Sequence, residues 1–149
     1  MIRRIRIYLD SCCLQRPLDD QTQPRIKVET EAVLATLAAV QAGDMVLLNS
    51  EALEYELGRM PDEQRRNETV AMLALAKEHL EITDEAERLA ESLESLGMRP
   101  MDAVHLALAS TAQADFFTTC DDRLLRQAQG VTGLACKVVS VLGLVMEAL

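Results

Sequence analysis

With 149 residues, 49% of them hydrophobic, the chain is long enough for one globular domain with its own core and is not a disordered protein. No apolar run reaches the ~20 residues of a membrane-spanning helix. The basic residues at the start are not followed by an apolar run long enough for a signal peptide. We therefore expect a single cytoplasmic domain over residues 1–149 that makes no membrane contact. The formal net charge of −9 excludes a protein whose whole surface attracts nucleic acid.

In the first half of the chain, apolar and polar residues alternate over residues 5–9, which predicts a strand that ends at Asp10. Residues 11–28 are polar, contain two prolines and are predicted to form a loop. A helix over residues 29–42, a buried strand over 45–48 and a helix over 51–60 follow.

The second half continues the alternation of helices and short strands. Helices are predicted over residues 62–79, 84–96, 101–114, 122–129 and 141–148, and strands over residues 80–82, 115–119 and 135–139. Strands of about five residues that alternate with helices are typical of an α/β domain with a mainly parallel sheet.

Acidic residues follow three of the predicted strands. These residues are Asp10 after the first strand, Glu51, Glu54 and Glu56 after the second, and Asp121 and Asp122 after the strand over 115–119. Because ligands of open parallel sheets bind outside the carboxyl ends of the strands, we expect these carboxylates to converge at one edge.

Helical geometry favours Glu56 among the three glutamates. Leu53, Leu57 and Met60 would form one apolar stripe of the helix, and Glu56 would lie roughly 60° from its centre. Glu56 is therefore expected to point inward along the edge of the core, whereas Glu51, at roughly 160°, would face water.

Asp102 lies on the same face as Leu106 and Ala109 of the most apolar helix. A carboxylate on such a face is costly to bury alone, and a bound metal ion would offset that cost. The alternative is an acid in the first helical turn that the helix dipole favours.

The other candidate residues also have structural interpretations. Asp10 could be a turn residue, and Asp121 a helix cap. His105 is expected to be a hydrogen-bonded residue at the edge of the core.

Four segments of the chain resemble, in order, the motifs of PIN domains. Residues 7–12 (IYLDSC) resemble their opening strand and first aspartate, and residues 50–57 (SEALEYEL) their serine followed by an acid six positions on. Residues 100–107 (PMDAVHLA) resemble the central helix, and residues 117–125 (FTTCDDRLL) the final acidic motif.

The resemblance implies a three-layer α/β/α sandwich with a central, mostly parallel, five-stranded sheet. It also implies Mg²⁺- or Mn²⁺-dependent cleavage of single-stranded RNA. Many small prokaryotic members are toxins of toxin–antitoxin pairs, each silenced by a cognate antitoxin protein, and many are homodimers. We therefore expect an endoribonuclease toxin with RNA as its substrate and an antitoxin as its partner.

The resemblance assigns the acidic site to Asp10, Glu56, Asp102 and Asp121. Asp10 and Asp102 would be the main metal ligands, since Mg²⁺ prefers oxygen ligands, and the other two would bind metal directly or through water. Accessory positions are Thr119, Asp122 and Glu54. Two alternatives stay open, because Glu54 could replace Glu56 and Asp122 could share or replace the role of Asp121.

An acidic chain needs a local basic strip to hold RNA. The candidates near the site loops are Arg16, Arg25, Arg99 and Arg123, of which we take Arg16 and Arg123 as the predicted RNA-binding residues. The remaining acidity would suit a basic antitoxin segment.

Two other functions are compatible with the sequence. The chain could be a non-catalytic PIN-like protein-interaction module, although carboxylates at all four positions favour an enzyme. It could also be a metal-dependent phosphohydrolase of a small phosphate ester, although the Asp-x-Asp motif of the commonest such family is missing.

The four cysteines, Cys12, Cys13, Cys120 and Cys136, have neither CxxC nor zinc-finger spacing. We expect them to be small buried thiols in a reducing cytosol.

Overall fold

A computed structural model describes residues 3–149 of the protein. The strands are β1 (Ile5–Leu9), β2 (Met45–Ser50), β3 (Glu78–Leu80), β4 (Phe116–Thr119) and β5 (Lys137–Ser140). They form one parallel sheet in the order β3-β2-β1-β4-β5. The predicted α/β/α fold with a central parallel five-stranded sheet is thereby confirmed.

Eight α-helices lie between and after the strands of the described region. They are α1 (Ser11–Gln15), α2 (Pro24–Gln41), α3 (Glu51–Gly58), α4 (Glu63–Leu73), α5 (Asp84–Ser95), α6 (Pro100–Thr111), α7 (Asp122–Gln129) and α8 (Val141–Ala148). Helix α2 packs against α8, and α6 packs against α3 and α5. None of the helices between residues 3 and 149 has the length and apolar character to cross a membrane.

The central strand β1 is buried on both faces of the sheet. Ile7, Tyr8 and Leu9 are all at most 1% exposed, and β1 pairs with β2 on one side and with β4 on the other. A strand covered by helices on both faces contributes every side chain to the core. The position directly after it therefore lies in the middle of the carboxyl edge of the sheet.

The loop predicted over residues 11–28 was wrong. Helix α1 begins directly after β1, because the Asp10 carboxylate caps its first turn. Pro17 lies in a single 3₁₀ turn, and Pro24 is the first residue of α2, five residues before the predicted start. Proline has no amide hydrogen to lose in a first turn, so both prolines fit helix starts here.

The other boundaries differ from the predictions by a few residues. Helix α4 ends at Leu73 rather than at residue 79, and β3 begins at Glu78 rather than at residue 80. The reason is long-range pairing, since Glu78 lies opposite Leu48 of β2 and its carboxylate accepts two hydrogen bonds from Arg6 of β1, at 2.7 and 2.9 Å.

Candidate active site

Asp10 occupies the carboxyl end of β1 and is only 6% exposed. Its backbone amide continues the sheet by donating to the Thr118 carbonyl (2.9 Å). One carboxylate oxygen accepts from the Ser11 amide (2.8 Å) and the other from the Thr119 hydroxyl (3.1 Å). Burial is the main cause that raises the pKa of Asp10 to about 7, and the neighbouring Cys12 and Glu56 side chains add to this rise.

A buried hydrogen-bonded chain fixes Glu56 opposite Asp10. The Glu56 carboxylate bonds to Nε2 of His105 and accepts from the Ser11 hydroxyl (3.3 Å). Nδ1 of His105 bonds to the Tyr8 hydroxyl (2.6 Å), which in turn bonds to the Ser50 hydroxyl (2.7 Å). Ser50 also caps α3 by accepting from the Leu53 amide (3.0 Å), so the helix that carries Glu56 is held by the same network.

His105 is 1% exposed and lies one helical turn after Asp102 on α6. Burial lowers the pKa of His105, but its hydrogen bond to Glu56 and the negative charges of Asp10 and Asp102 outweigh burial and raise it. A protonated His105 would donate from both ring nitrogens and would partly neutralise the surrounding acids. The expectation of a hydrogen-bonded core-edge histidine did not include this contact with Glu56.

Asp102 lies half-buried in the first turn of α6. Burial is the main cause that raises its pKa to about 6, and the negative charges of Asp10 and Asp121 add to it. Arg99 and His105 act in the opposite direction. Asp102 therefore belongs to the same group of mutually repelling carboxylates as Asp10 and Asp121.

Asp121 precedes α7 and caps it. Only one of its oxygens serves as the cap, by accepting from the Arg123 amide (2.9 Å) and the Leu124 amide (3.2 Å). The other oxygen has no hydrogen-bond donor among residues 3–149. The helix-cap alternative is thus correct and still leaves one oxygen for a ligand. Thr119 holds both acids, because its hydroxyl donates to Asp10 and accepts from the Asp121 amide (3.0 Å).

Two of the predicted accessory acids have other partners. Glu54 is exposed and pairs with His79 of β3. Asp122 is exposed and forms a bidentate ion pair with Arg25, whose two terminal guanidinium nitrogens lie 2.7 and 2.8 Å from the carboxylate oxygens. This pair lowers the pKa of Asp122. The structure therefore brings Glu56 rather than Glu54 to Asp10, and turns Asp122 toward α2.

The donor set of this acidic cluster fits a hard divalent cation. Ligand atoms of Asp10, Glu56 and His105 lie within 4.8 Å of one another, and Asp102 and Asp121 are not part of this compact group. Both ring nitrogens of His105 are engaged by Glu56 and Tyr8, so the oxygen donors of the group are the two carboxylates. Burial is the main cause that raises the pKa values of Asp10 and Asp102, and the charges of His105 and Arg99 offset only part of that rise, so a further positive charge would favour the ionised carboxylates. Carboxylate oxygens suit Mg²⁺ and Mn²⁺, so such an ion would supply that charge.

The four candidate arginines fall into two pairs. Arg16 bonds to both Asp19 and Glu29 at 3.0 Å, with its side chain 19% exposed, and Arg25 is occupied by Asp122. Arg99 and Arg123 are exposed and form no ion pair with any other residue from 3 to 149. A strip of four free arginines is therefore not present, because α2 brings Glu29 to Arg16.

Three of the four cysteines meet next to the acids, which the sequence analysis missed. Cys12, Cys13 and Cys120 have sulfur atoms within 4.8 Å of one another. Cys12 Sγ lies 3.5 Å from Asp10 Oδ2 and 3.4 Å from Thr119 Oγ1. The available signal is their position in the sequence, since Cys12 and Cys13 lie two and three positions after Asp10 and Cys120 directly precedes Asp121.

The family model of the PIN domain matches residues 7–130. The chain belongs to the PIN-domain family. The crystal structure of VapBC2 from Rickettsia felis bound to a DNA fragment from their promoter resembles this PIN domain with a TM-score of 0.57 and 11% sequence identity, over 91% of this chain and 98% of that chain. This likeness concerns the fold. None of the curated proteins matches this chain.

The matched residues include all four acids of the cluster. In this PIN domain the position directly after β1, helices α3 and α6, and the turn between β4 and α7 each contribute one of them.

Proposed function

We propose that this PIN-domain protein is a Mg²⁺- or Mn²⁺-dependent endoribonuclease that cleaves single-stranded RNA. The observation that carries the proposal is the buried Asp10 at the carboxyl edge of the sheet, where ligand atoms of Asp10, Glu56 and His105 lie within 4.8 Å of one another; burial also raises the pKa of Asp10 to about 7. Structural ion pairs would lower the pKa of an aspartate, whereas burial beside other acids has raised this one.

Asp10 and Asp102 would hold the cation, with the free oxygen of Asp121 and the carboxylate of Glu56 as further ligands, directly or through water. A divalent ion supplies the Lewis acidity that phosphodiester hydrolysis needs, by polarising the phosphate and activating water. Thr119 keeps the carboxylate of Asp10 in place through its hydroxyl.

Glu56 is the acid best suited to orient the attacking water. Its carboxylate is one third exposed, so it can reach a bound substrate, while His105 and Ser11 fix its position. His105, with a raised pKa, can hold a proton between Glu56 and Tyr8. General-base catalysis of this kind contributes roughly 10²- to 10⁴-fold in rate.

Arg99 and Arg123 would bind the RNA backbone. Both are exposed, and they lie close in sequence to Asp102 and Asp121, at the starts of α6 and α7. Their charges can therefore meet phosphates that flank the cleavage point. This pair replaces the predicted strip, since Arg16 already has two carboxylate partners.

We further propose a cytoplasmic toxin that a cognate antitoxin silences, and a homodimer as its assembly. The protein whose fold it resembles is a VapBC assembly, and a formal net charge of −9 suits a basic partner segment.

The test is incubation of the purified, metal-free protein with labelled single-stranded RNA, duplex RNA, single-stranded DNA or a chromogenic phosphate ester. Each substrate is tested with Mg²⁺, Mn²⁺ or EDTA. The proposal predicts cleavage of single-stranded RNA that needs metal and falls roughly a thousandfold or more in Asp10→Asn/Asp102→Asn. Turnover of the ester with RNA left intact would contradict it and favour a phosphohydrolase. Mn²⁺ binding without turnover of any substrate would favour an interaction module.

A further inference from the structure

Cys12, Cys13 and Cys120 form a compact group of thiols at the carboxyl edge of the sheet. Cys12 and Cys13 lie in α1, and Cys120 directly follows β4. The Cys13 and Cys120 sulfurs are 3.5 Å apart, and the Cys120 amide lies 3.4 Å from the Cys12 sulfur. All three residues are free cysteines.

The backbone holds this group in place. The thiol of Cys13 donates to the Thr118 carbonyl (3.4 Å), which also accepts from the Asp10 amide (2.9 Å). Thr118 pairs with Leu9 across the parallel β1–β4 ladder. Strand pairing therefore fixes the backbone next to all three cysteines, so the group is preorganised and only side-chain rotations can move the sulfurs.

The spacing fits one soft cation. A tetrahedral site with Zn–S bonds of about 2.3 Å places its sulfurs about 3.8 Å apart. The Cys13–Cys120 distance of 3.5 Å is within a few tenths of an ångström of that value, and every pair of sulfurs lies within 4.8 Å. Small side-chain rotations would therefore complete three metal–sulfur bonds.

We propose that Cys12, Cys13 and Cys120 bind a thiophilic divalent cation of the Zn²⁺ class, at a site that adjoins the acidic cluster but shares no ligand with it. On binding, three S–H bonds break, their protons pass to solvent and three metal–sulfur bonds form, so a +2 ion becomes a group with charge −1. The Arg16 guanidinium is close enough to Cys120 for their charges to interact. Its positive charge would offset the negative charge of the metal with its three thiolates. Cys12 is partly exposed and offers the route of entry.

Occupancy of the thiol site would act on Asp10. Cys12 Sγ now contacts Asp10 Oδ2 (3.5 Å) and Thr119 Oγ1 (3.4 Å), and metal binding would redirect that sulfur. Thr119 would then rotate, and it is the residue that orients both Asp10 and Asp121. Zn²⁺ is therefore expected to inhibit RNA cleavage. This inhibition rests on the proposed nuclease function, whereas the binding of Zn²⁺ by the three thiols does not depend on it.

The test uses the reduced, metal-free 149-residue protein and Co²⁺ as a spectroscopic probe that Zn²⁺ then displaces. We expect one equivalent of Co²⁺ to produce a sulfur-to-metal charge-transfer band. Cys12→Ser and Cys120→Ser should weaken Co²⁺ binding at least about tenfold, whereas Cys136→Ser, which alters a buried cysteine outside the group, should leave it unchanged. Circular dichroism confirms that each variant is folded.

Asp10→Asn/Asp102→Asn separates the two sites. The charge-transfer band should persist in this variant, even if the protein cleaves no RNA, so failure of the nuclease proposal does not remove the thiol site. Absence of the band in the wild-type protein, or an equal band in Cys120→Ser, would overturn the proposal.

Discussion

Asp10→Asn is expected to stabilise the metal-free protein at neutral pH, although it should abolish metal binding. Burial raises the pKa of Asp10 from its ordinary value of 3.8 to about 7 in the folded protein. A pKa difference of one corresponds to about 1.4 kcal/mol, so the ionisable carboxyl costs about 4 kcal/mol of folding free energy at pH 7. Asparagine has nearly the same shape and does not ionise, and its amide oxygen can still accept from the Ser11 amide.

The direction of the pH dependence follows from proton binding. Between pH 4 and pH 7 the folded state keeps a proton on Asp10 that the unfolded state has lost, so the free energy of unfolding falls as pH rises. The contribution of Asp10 is fully present below about pH 4 and is lost as pH rises through about 7. Asp10→Asn removes this decline, so the two proteins should diverge as pH increases.

Thermal and urea unfolding in EDTA at pH 5 and pH 8 measure the difference. We expect the variant to unfold roughly 10 °C above the wild type at pH 8, since about 1 kcal/mol shifts the Tm of a chain of this size by roughly 2–4 °C. Mn²⁺ should raise the Tm of the wild type and leave that of the variant unchanged.

Asp122→Asn is the matched control. The Arg25 guanidinium lowers the pKa of Asp122, so loss of this ion pair should destabilise the protein slightly above pH 4 and never stabilise it. An Asp10→Asn variant that is less stable than the wild type at pH 8, or whose stability difference does not change with pH, would refute the burial argument.

Further predictions concern the network, the RNA contacts and the pH dependence of metal binding. His105→Gln should lower single-turnover RNA cleavage about tenfold or more without loss of the fold, because Glu56 then loses its charged partner. Arg123→Ala should weaken RNA binding and reduce the salt dependence of log K by about 1, measured by fluorescence anisotropy at several salt concentrations. Arg16→Ala should instead lower the Tm, since the buried Glu29 then keeps only its longer ion pair with Arg25 (3.5 Å). Calorimetric Mn²⁺ affinity should rise between pH 5.5 and pH 7.5 with release of protons, because Asp10 and Asp102 have pKa values of about 7 and about 6.

The parts of the fold that depend on local pattern could be predicted from the sequence. The alternation over residues 5–9 predicts β1, and the helix predicted over residues 84–96 agrees with α5 to within one residue, since Thr83 caps its start. Asp10 and Asp121 were predicted to converge because each follows a parallel strand. Their convergence needed only the sheet type and no knowledge of the register.

The parts that depend on long-range contacts could not be predicted in this way. The polar composition and the prolines of residues 11–28 predict a loop, whereas α2 begins at Pro24 and brings Glu29 to Arg16, so local pattern does not predict the neutralisation of Arg16. The group of Cys12, Cys13 and Cys120 depends on the register between β1 and β4, in which Leu9 lies opposite Thr118. No local pattern carries that register, since strand pairing joins residues more than a hundred positions apart.

The central claim is that the acidic cluster binds a divalent cation, and calorimetry of the metal-free protein with Mn²⁺ tests it without knowledge of the RNA target. The wild type and Glu54→Gln/Asp122→Asn, which removes two acids that point away from the cluster, are expected to bind Mn²⁺ alike. Asp10→Asn/Asp102→Asn should bind it at least about a hundredfold more weakly, since two ligands are lost. Equal Mn²⁺ binding by all three proteins, or none by the wild type, would contradict the account.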